Sequence, residues 1–190
     1  MNNIVIFASG SGSNAENVIN YFKNDPRDRV IGLCCNKPDA PVLARAERLG
    51  VPVCLFNREE FYGSDRVLLQ LEEWQADLIV LAGFLWKVPE NILETYAGRV
   101  INIHPALLPQ YGGKGMYGMR VHEAVIAAGE GGSGITIHYV NECYDEGGII
   151  FQAMCAITPE DTPESLAGKV HALEYDYFPR IIKGVLDEME

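Results

Sequence analysis

Short apolar runs alternate with amphipathic segments through the first hundred residues. Each run is rich in β-branched residues and is bounded by turn residues, a pattern that predicts buried strands. Five strands are expected, at 3–8 (NIVIFA), 29–36 (RVIGLCCN), 51–56 (VPVCLF), 77–84 (DLIVLAGF) and 99–104 (RVINIH). Between these strands lie segments whose apolar residues have helical spacing. They predict one helix that begins with a cap at Ser13 or Asn14, a second over Pro41–Gly50 and a third over Glu60–Gln75. This order predicts a doubly wound α/β fold with a mostly parallel central sheet and helices on both faces.

The pattern changes after residue 104. Residues 105–119 are rich in glycine and proline and predict a long irregular loop, which in a compact domain is usually functional. A short helix over Val121–Ala128 is expected next. The runs SGITIHYV (133–140) and IIFQAMCAI (149–157) have no helical segment between them, so they predict an antiparallel pair near the C-terminal edge of the sheet. In the closing amphipathic segment, Thr162–Met189, we expect Pro179 to interrupt the helix.

Composition and charge disfavour several classes of protein. The longest apolar run, Leu78–Trp86, is far shorter than the ~20 residues of a membrane span, and the first residues lack a basic signal-peptide start. We therefore expect a cytoplasmic protein with no membrane partner. The 26 acidic and 15 basic residues give a net charge of −11, so no nucleic-acid partner is expected. Five cysteines without a CxxC spacing predict no metal site. An anionic ligand must be held locally, by backbone amides or a few cations.

The motif GSGSNA (Gly10–Ala15) directly follows the first predicted strand. It matches the G-x-G-x-x-G/A dinucleotide fingerprint both in letters and in position. That fingerprint also requires an acidic residue at the end of the second strand, where this chain has Asn36, so a nicotinamide dinucleotide is disfavoured. Backbone N–H groups that converge at a helix N-terminus suit a monophosphate equally well. On these residues alone, a dinucleotide site, a monophosphate site and a simple strand-to-helix turn all remain open.

A second group of polar residues begins at the C-terminal end of the fifth predicted strand. Asn102 and His104 are two residues apart, so their side chains point to one face, at the edge where open α/β sheets bind ligands. Asp145, in YDEGG, lies in the turn between the two late strands, and a carboxylate there is expected to raise the pKa of the imidazole. An amide, an imidazole and a carboxylate are suited to stabilising an oxyanion and moving a proton. No serine or cysteine stands beside a candidate base, which favours direct transfer over a covalent intermediate.

These motifs together give the chain a resemblance to a known family. From Ile4 to about Pro179 it resembles the phosphoribosylglycinamide formyltransferases, folate-dependent enzymes of de novo purine biosynthesis. The resemblance rests on SGSGSN, LAGF, INIHPALLP, GITIHYV and YDEGGIIFQ. INIHPxLLP with a later D-x-G marks the wider formyltransferase superfamily, and SGSGSN narrows the match to the glycinamide ribonucleotide branch.

The resemblance implies direct transfer of the formyl group of 10-formyltetrahydrofolate to the amine of 5-phosphoribosylglycinamide through a tetrahedral intermediate, without a metal. A single domain over 1–190 is implied, with a phosphate-binding half (1–100) and a catalytic and folate-binding half (101–190). Asn102 and protonated His104 would stabilise the oxyanion, and Asp145 would keep His104 charged. The implied substrate-binding residues are Gly10, Ser11, Gly12, Ser13, Asn14 and Glu174. The implied folate-binding residues are Arg58, Leu85, Trp86, Lys87, Val88, Asn102, Val140, Asn141 and Glu142.

Three features depart from the family pattern. The segment Gln110–Val121 is longer than expected, which leaves the role of His122 open. Leu85 and Trp86 stand where many relatives carry Met-Arg, so one folate-side cation is absent. Arg58 is only loosely placed as the residue that meets the acidic tail of the folate.

Several alternatives are weighed against this resemblance. A formyltetrahydrofolate hydrolase carries an extra N-terminal domain, whereas the first predicted strand begins at residue 3. A methionyl-tRNA formyltransferase carries a C-terminal nucleic-acid-binding domain, and this acidic chain shows no basic face. Sugar-nucleotide formyltransferases lack SGSGSN. A nicotinamide oxidoreductase and a non-catalytic nucleotide-binding module remain as distant alternatives, and a monomer and a homodimer are equally compatible with the sequence.

Overall fold

A seven-stranded mixed sheet, in the order β3-β2-β1-β4-β5-β6-β7, forms the centre of the computed structural model, which describes residues 1–189. The strands are β1 (Asn2–Ala8), β2 (Asp28–Cys35), β3 (Val53–Leu55), β4 (Leu78–Leu81), β5 (Val100–His104), β6 (Gly132–Tyr139) and β7 (Ile149–Ala156). The helices are α1 (Ser13–Phe22), α2 (Pro41–Leu49), α3 (Arg58–Tyr62), α4 (Arg66–Glu73), α5 (Glu90–Thr95), α6 (Met119–Ala127) and α7 (Pro163–Glu188). Strands β1 to β5 pair in parallel, and β6 and β7 are antiparallel. The predicted fold class is confirmed.

The strand order reverses at β1, and this reversal creates a crevice. From β1 the chain builds outward through β2 and β3, then returns to place β4 on the other side of β1. The loops that follow β1 and β4 therefore leave in opposite directions, which is where open α/β sheets bind ligands. The register of β5 with β6 sets Asn102 opposite His138 and His104 opposite Thr136, at the same edge of the sheet.

Two hydrophobic layers cover the sheet, one on each face. Alternation along β1 sends Ile4 and Ile6 towards α1, α2, α6 and α7, and Val5 and Phe7 towards α3, α4 and α5. The second layer is aromatic, with rings of Phe7, Phe56, Phe61, Phe84 and Trp86 in contact. This layer supports the loop after β4, which forms one wall of the crevice.

Helix α7 continues through Pro179 for 26 residues, so the predicted interruption is wrong. A proline within a helix removes the hydrogen bond to the carbonyl four residues earlier, here that of Tyr175. Asn17 of α1 supplies the missing donor, because its Nδ2 donates to the Tyr175 carbonyl at 2.8 Å. The backbone group that Pro179 leaves unpaired therefore fastens α1 to α7.

No helix within residues 1–189 combines the length and the apolar character of a membrane span.

Two other predictions of local structure are wrong. The single helix expected over 60–75 is two helices, α3 and α4, separated at Gly63–Asp65. Asn57 caps α3 in a reciprocal capping box with Glu60, a start signal that the sequence carries and the prediction missed. The short helix α5 was not predicted. Helix α3 matters for the crevice, because Phe61 and Tyr62 pack against Trp86 of the loop after β4.

Candidate active site

A cavity of about 720 Å³ occupies the crevice. Its walls come from the loops after β1, β4 and β5, from Gly113–Gly118, and from α7. Among its lining residues are Gly10, Ser11, Gly12, Ser13, Asn14, Leu85, Trp86, Lys87, Val88, Asn102, His104, Val140, Asn141, Asp145 and Glu174. The fold thus gathers almost all of the site residues expected from the sequence around one opening.

Arg58 and Glu142 lie outside the lining of this cavity. Glu142 lines a smaller neighbouring cavity of about 320 Å³, together with Tyr62 and Lys87. The guanidinium carbon of Arg58 lies 5.3 Å from the ring centroid of Tyr62 and 6.0 Å from that of Trp86. Both residues are therefore neighbours of the Trp86 wall, and their contact with a folate stays a prediction.

The glycine loop, defined as Gly10–Asn14, lines one end of the cavity and contains the N-terminus of α1. Gly12 precedes α1 with φ of 76°, a left-handed conformation, and a Cβ there would lie 2.2 Å from Cγ2 of Val42. No side chain among residues 1–189 caps α1, and Ser13 is its first helical residue, so the predicted cap by Ser13 or Asn14 is wrong. Because the first N–H groups of a helix have no partner within it, this end can receive an anion.

Glu174 of α7 lies against the glycine loop. Its Oε2 accepts a hydrogen bond from Nδ2 of Asn14 at 2.8 Å, and Nδ1 of His171 lies 3.2 Å from the same oxygen. The Asn14 Oδ1 is buried with no hydrogen-bond partner among residues 1–189. Hydrogen bonding with Glu174 raises the pKa of His171. This corner of the cavity therefore offers a carboxylate, an unused acceptor oxygen and an imidazole.

His104 is held at one nitrogen and open at the other. Its Nε2 donates to the carbonyl oxygen of Tyr111 at 2.7 Å, because that oxygen can only accept. Its Nδ1 lies 3.6 Å from Oδ2 of Asp145, which is too long for a hydrogen bond. The same Asp145 oxygen accepts the backbone N–H of Gly113 at 2.8 Å. Nδ1 of His104 is therefore the atom at which this ring gains or loses a proton, and it does so facing a carboxylate.

His138 orients Asn102, a relation that the sequence analysis missed. Nδ1 of His138 donates to the backbone carbonyl of its neighbour Tyr139 at 2.8 Å. Its Nε2 lies 3.1 Å from Nδ2 of Asn102 and 3.5 Å from Oδ1 of Asp145, so the ring stands between these two site residues. The contact holds one side of the Asn102 amide nitrogen and leaves its second hydrogen available. The antiparallel register of β5 and β6 places His138 opposite Asn102. Finding this relation from the sequence would have required the pairing of these two strands.

Burial and charge act in opposite directions on the two ionisable groups. Burial lowers the pKa of His104 below its usual value, outweighing the Asp145 charge and the Tyr111 carbonyl, which both raise it. The pKa of Asp145 is also lowered: burial raises it, but the side chain of His138, the charge of His104 and the Gly113 N–H together prevail. The charge of Asp145 thus acts on His104 in the expected direction, but the residue is only 4 % exposed and desolvation outweighs that charge. That Asp145 keeps His104 charged during a reaction stays a prediction.

Several lining residues have no counterpart in the sequence-based prediction. Lys37, Lys114 and Arg120 bring positive charge to the cavity of a chain with net charge −11. His122, on α6, is buried, and its Nδ1 has no partner in the described part of the chain. Burial also lowers the pKa of His122. Within residues 1–189, no cluster of three or more histidine, cysteine, aspartate or glutamate side chains is arranged to hold a metal.

Comparison with known proteins agrees with this geometry. The family described as "Formyl transferase" matches residues 2–182. The phosphoribosylglycinamide formyltransferase of Bacillus subtilis is 35% identical, over 98% of this chain and 95% of its own length. The chloroplastic enzyme of the same name from Arabidopsis thaliana is 35% identical over 97% of this chain, which spans 65% of that protein's length.

Solved structures give the same result. Glycinamide ribonucleotide transformylase 1 from Geobacillus kaustophilus superposes with a TM-score of 0.89 at 34% identity, covering 98% of this chain and 99% of that one. The phosphoribosylglycinamide formyltransferase of Bacillus halodurans gives a TM-score of 0.88 at 38% identity, covering 99% and 97%. The resemblance drawn from SGSGSN and INIHPALLP is confirmed. This chain therefore belongs to the formyl transferase family, and within that family to the phosphoribosylglycinamide formyltransferases.

Proposed function

We propose that this chain transfers the formyl group of 10-formyltetrahydrofolate to the amine of 5-phosphoribosylglycinamide, giving formylglycinamide ribonucleotide and tetrahydrofolate for purine biosynthesis. One observation carries the proposal. A single cavity holds both an uncapped helix N-terminus at the glycine loop and the polar group of Asn102, His104 and Asp145. A phosphorylated amine bound at the first end brings its nucleophile towards the second.

The ribonucleotide is assigned to the glycine-loop end. Its phosphate would be held by the backbone N–H groups of Gly10–Asn14, where the helix dipole favours an anion. Glu174 and the unpartnered Oδ1 of Asn14 then meet donors of the ribose or the glycinamide, which would satisfy the buried oxygen. Because an acidic chain repels phosphate at a distance, Lys37 is placed to offset that repulsion locally.

The folate is assigned to the other wall. Leu85–Val88 and Val140–Asn141 line it, and they offer apolar side chains beside backbone hydrogen-bonding groups. Trp86 packs on Phe56 and Phe61, so its ring is a fixed surface against which a flat heterocycle can lie. The residues present fit a formyl-folate, and Arg58 and Glu142 border this wall from outside.

The chemistry divides between an amide and a buried imidazole. The second N–H of Asn102 stabilises the oxyanion that forms when the amine attacks the formyl carbon. His104, whose pKa is lowered by burial, accepts at Nδ1 the proton that the amine gives up. Asp145, ionised and facing Nδ1, favours the imidazolium while it lasts. His104 then gives the same proton to the departing folate nitrogen. One C–N bond forms to the amine and one breaks at the folate, and His104 ends with the protonation state it had at the start.

The test is a turnover assay with purified protein, 5-phosphoribosylglycinamide and 10-formyltetrahydrofolate, following loss of the formyl-folate and appearance of formylated ribonucleotide. We expect turnover that requires the ribonucleotide and that falls by about 10²–10⁴ in His104→Ala. His171→Ala removes an imidazole from the same cavity without touching the proposed proton path, so its kcat should change far less. Formyl-folate loss without ribonucleotide would instead indicate a hydrolase, and no loss at all would refute the proposal.

A further inference from the structure

Helix α2 lies behind the glycine loop and holds two successive carbonyl groups of that loop. The backbone N–H of Val42 donates to the Gly10 carbonyl at 3.2 Å. Nε of Arg45 donates to the Ser11 carbonyl at 2.8 Å. Neither Val42 nor Arg45 lines the cavity, so α2 acts on the loop from the side away from the ligand.

Fixing a carbonyl also fixes the N–H of the same peptide unit. In a trans peptide the C=O and the N–H point in opposite directions, and the bonds after Gly10 and Ser11 are trans. With both carbonyls directed at α2, the N–H groups of Ser11 and Gly12 are directed away from it, towards the cavity that these residues line. Two neighbouring N–H groups aimed to one side form a concave anion-binding site.

Arg45 is itself held in place by a second partner. Its Nη1 pairs with Oε2 of Glu16 in α1, and Arg48 pairs with the other oxygen of that carboxylate. The side chain of Glu16 is 18% exposed, so it is a sheltered partner. Arg45 thus joins α1, α2 and the loop carbonyl, whereas Arg48 reaches only the carboxylate. The flexible alternative, in which the Ser11–Gly12 peptide turns over, would break the bond to Nε.

We propose that Arg45 is a positioning residue for phosphate binding: by holding the Ser11 carbonyl outward, it presents the Gly12 N–H to the phosphate of the substrate. The inference rests on the proposed function for the identity of the anion. Helix α2 would then contribute to phosphate affinity through the loop, without touching the substrate.

The test compares Arg45→Met with Arg48→Met. Each removes one positive charge and one ion pair with Glu16, but Arg45→Met alone releases the loop carbonyl. By calorimetric titration with ribose 5-phosphate, we expect Arg45→Met to weaken binding about tenfold and Arg48→Met less than twofold. In steady-state assays the KM for the ribonucleotide should rise in parallel in Arg45→Met, while kcat and the KM for 10-formyltetrahydrofolate stay unchanged.

Each outcome decides the proposal. Equal weakening in both variants would mean that only the electrostatic field matters, and it would overturn the positioning role, as would unchanged binding in Arg45→Met or no binding of ribose 5-phosphate by the wild type. If the wild type binds ribose 5-phosphate and the two variants differ as expected but no formyl transfer occurs, the proposed function fails and the positioning role stands. Should Arg45→Met not fold, Arg45→Lys keeps the charge but cannot span both partners, and an intermediate loss of ribose 5-phosphate affinity is expected.

Discussion

The two ends of the cavity are built from different parts of the chain's chemistry. The glycine-loop end presents backbone N–H groups on helix α1, which no side chain in the described part of the chain caps. The catalytic end presents the side chains of Asn102, His104 and Asp145, each fixed by a hydrogen bond or an ion-pair partner from another element. The first end depends on backbone conformation and the second on side-chain identity, so substitutions should damage them in different ways.

The difference extends to the cost of burial. Backbone amides at a helix N-terminus carry only partial charge, so sheltering them from water costs less free energy than sheltering a full charge. An imidazole that is 4 % exposed loses much of the hydration of its charged form, and its pKa falls. The catalytic end is therefore sensitive to pH. The binding end is instead sensitive to side-chain size, because any Cβ at position 12 would clash with Val42.

The largest effect is expected at the catalytic end from Asp145→Asn. The change removes the charge that favours the His104 imidazolium while keeping the side-chain volume, so kcat should fall by about 10²–10⁴ with little change in either KM. Glu146→Gln, one residue along and exposed, makes the same charge change outside the cavity and should retain activity. Steady-state kinetics measures both. Intact turnover in Asp145→Asn would remove Asp145 from the mechanism.

At the binding end the sharpest substitution is Gly12→Ala. The left-handed φ costs an L-residue about 1–2 kcal/mol, and the new methyl group meets Val42 at 2.2 Å. The KM for the ribonucleotide should rise roughly 10- to 100-fold, with kcat reduced far less. Gly10→Ala is the steric control, because no atom lies within 4 Å of a Cβ there and its φ is not left-handed. Equal effects at the two glycines would contradict the steric explanation.

A smaller effect is expected on the pKa of His104, which reports on the charges around its ring. The groups that face it are Asp145, the Tyr111 carbonyl, His138 and Glu174. Removing the nearest charge in Asp145→Asn should lower the pKa of His104 further, which an NMR titration of the imidazole signals can follow. An upward movement would contradict the direction in which the Asp145 charge acts on His104.

The same shift has a consequence for stability, and its sign follows from proton linkage. Because the folded pKa of His104 lies below the usual value of 6.5, the unfolded chain binds the proton more readily. The contribution of His104 to the free energy of unfolding is therefore complete above about pH 6.5 and declines as the pH falls below it. His171, whose pKa is raised by Glu174, contributes in the opposite sense.

The smallest effect is expected from Asn17→Ala, which leaves both ends chemically intact. It removes the donor to the Tyr175 carbonyl that Pro179 cannot serve, and because this hydrogen bond is exposed it should lower the free energy of unfolding by only about 0.5–1.5 kcal/mol. Asn20→Ala, on the same helix and exposed, should cost almost nothing. Denaturant unfolding measures both variants. A loss of kcat in Asn17→Ala would show that the α1–α7 contact matters for catalysis as well as for stability.

The sequence predicted most of the residues that gather at the two ends of the cavity, but few of the contacts between them, and the reasons are physical. A glycine motif between a strand and a helix is a local pattern, and the alternation of Asn102 and His104 is local too. His138 acts through strand pairing across 36 residues, and Lys37 enters the cavity only because β2 lies beside β1. Such relations depend on tertiary register, which no short window contains. The pKa of His104 was mispredicted because a nearby carboxylate is visible in a sequence and the extent of burial is not.

Glu174 and Asn14 meet across 160 positions of the chain, and Asn17 meets Tyr175 across 158. Closing a long stretch of chain costs entropy that other contacts must first offset, so we expect contacts of such long range to form late in folding. The corner formed by Asn14 and Glu174 is then completed only when α7 docks on α1, and ribonucleotide affinity is a gauge of whether the chain has finished folding.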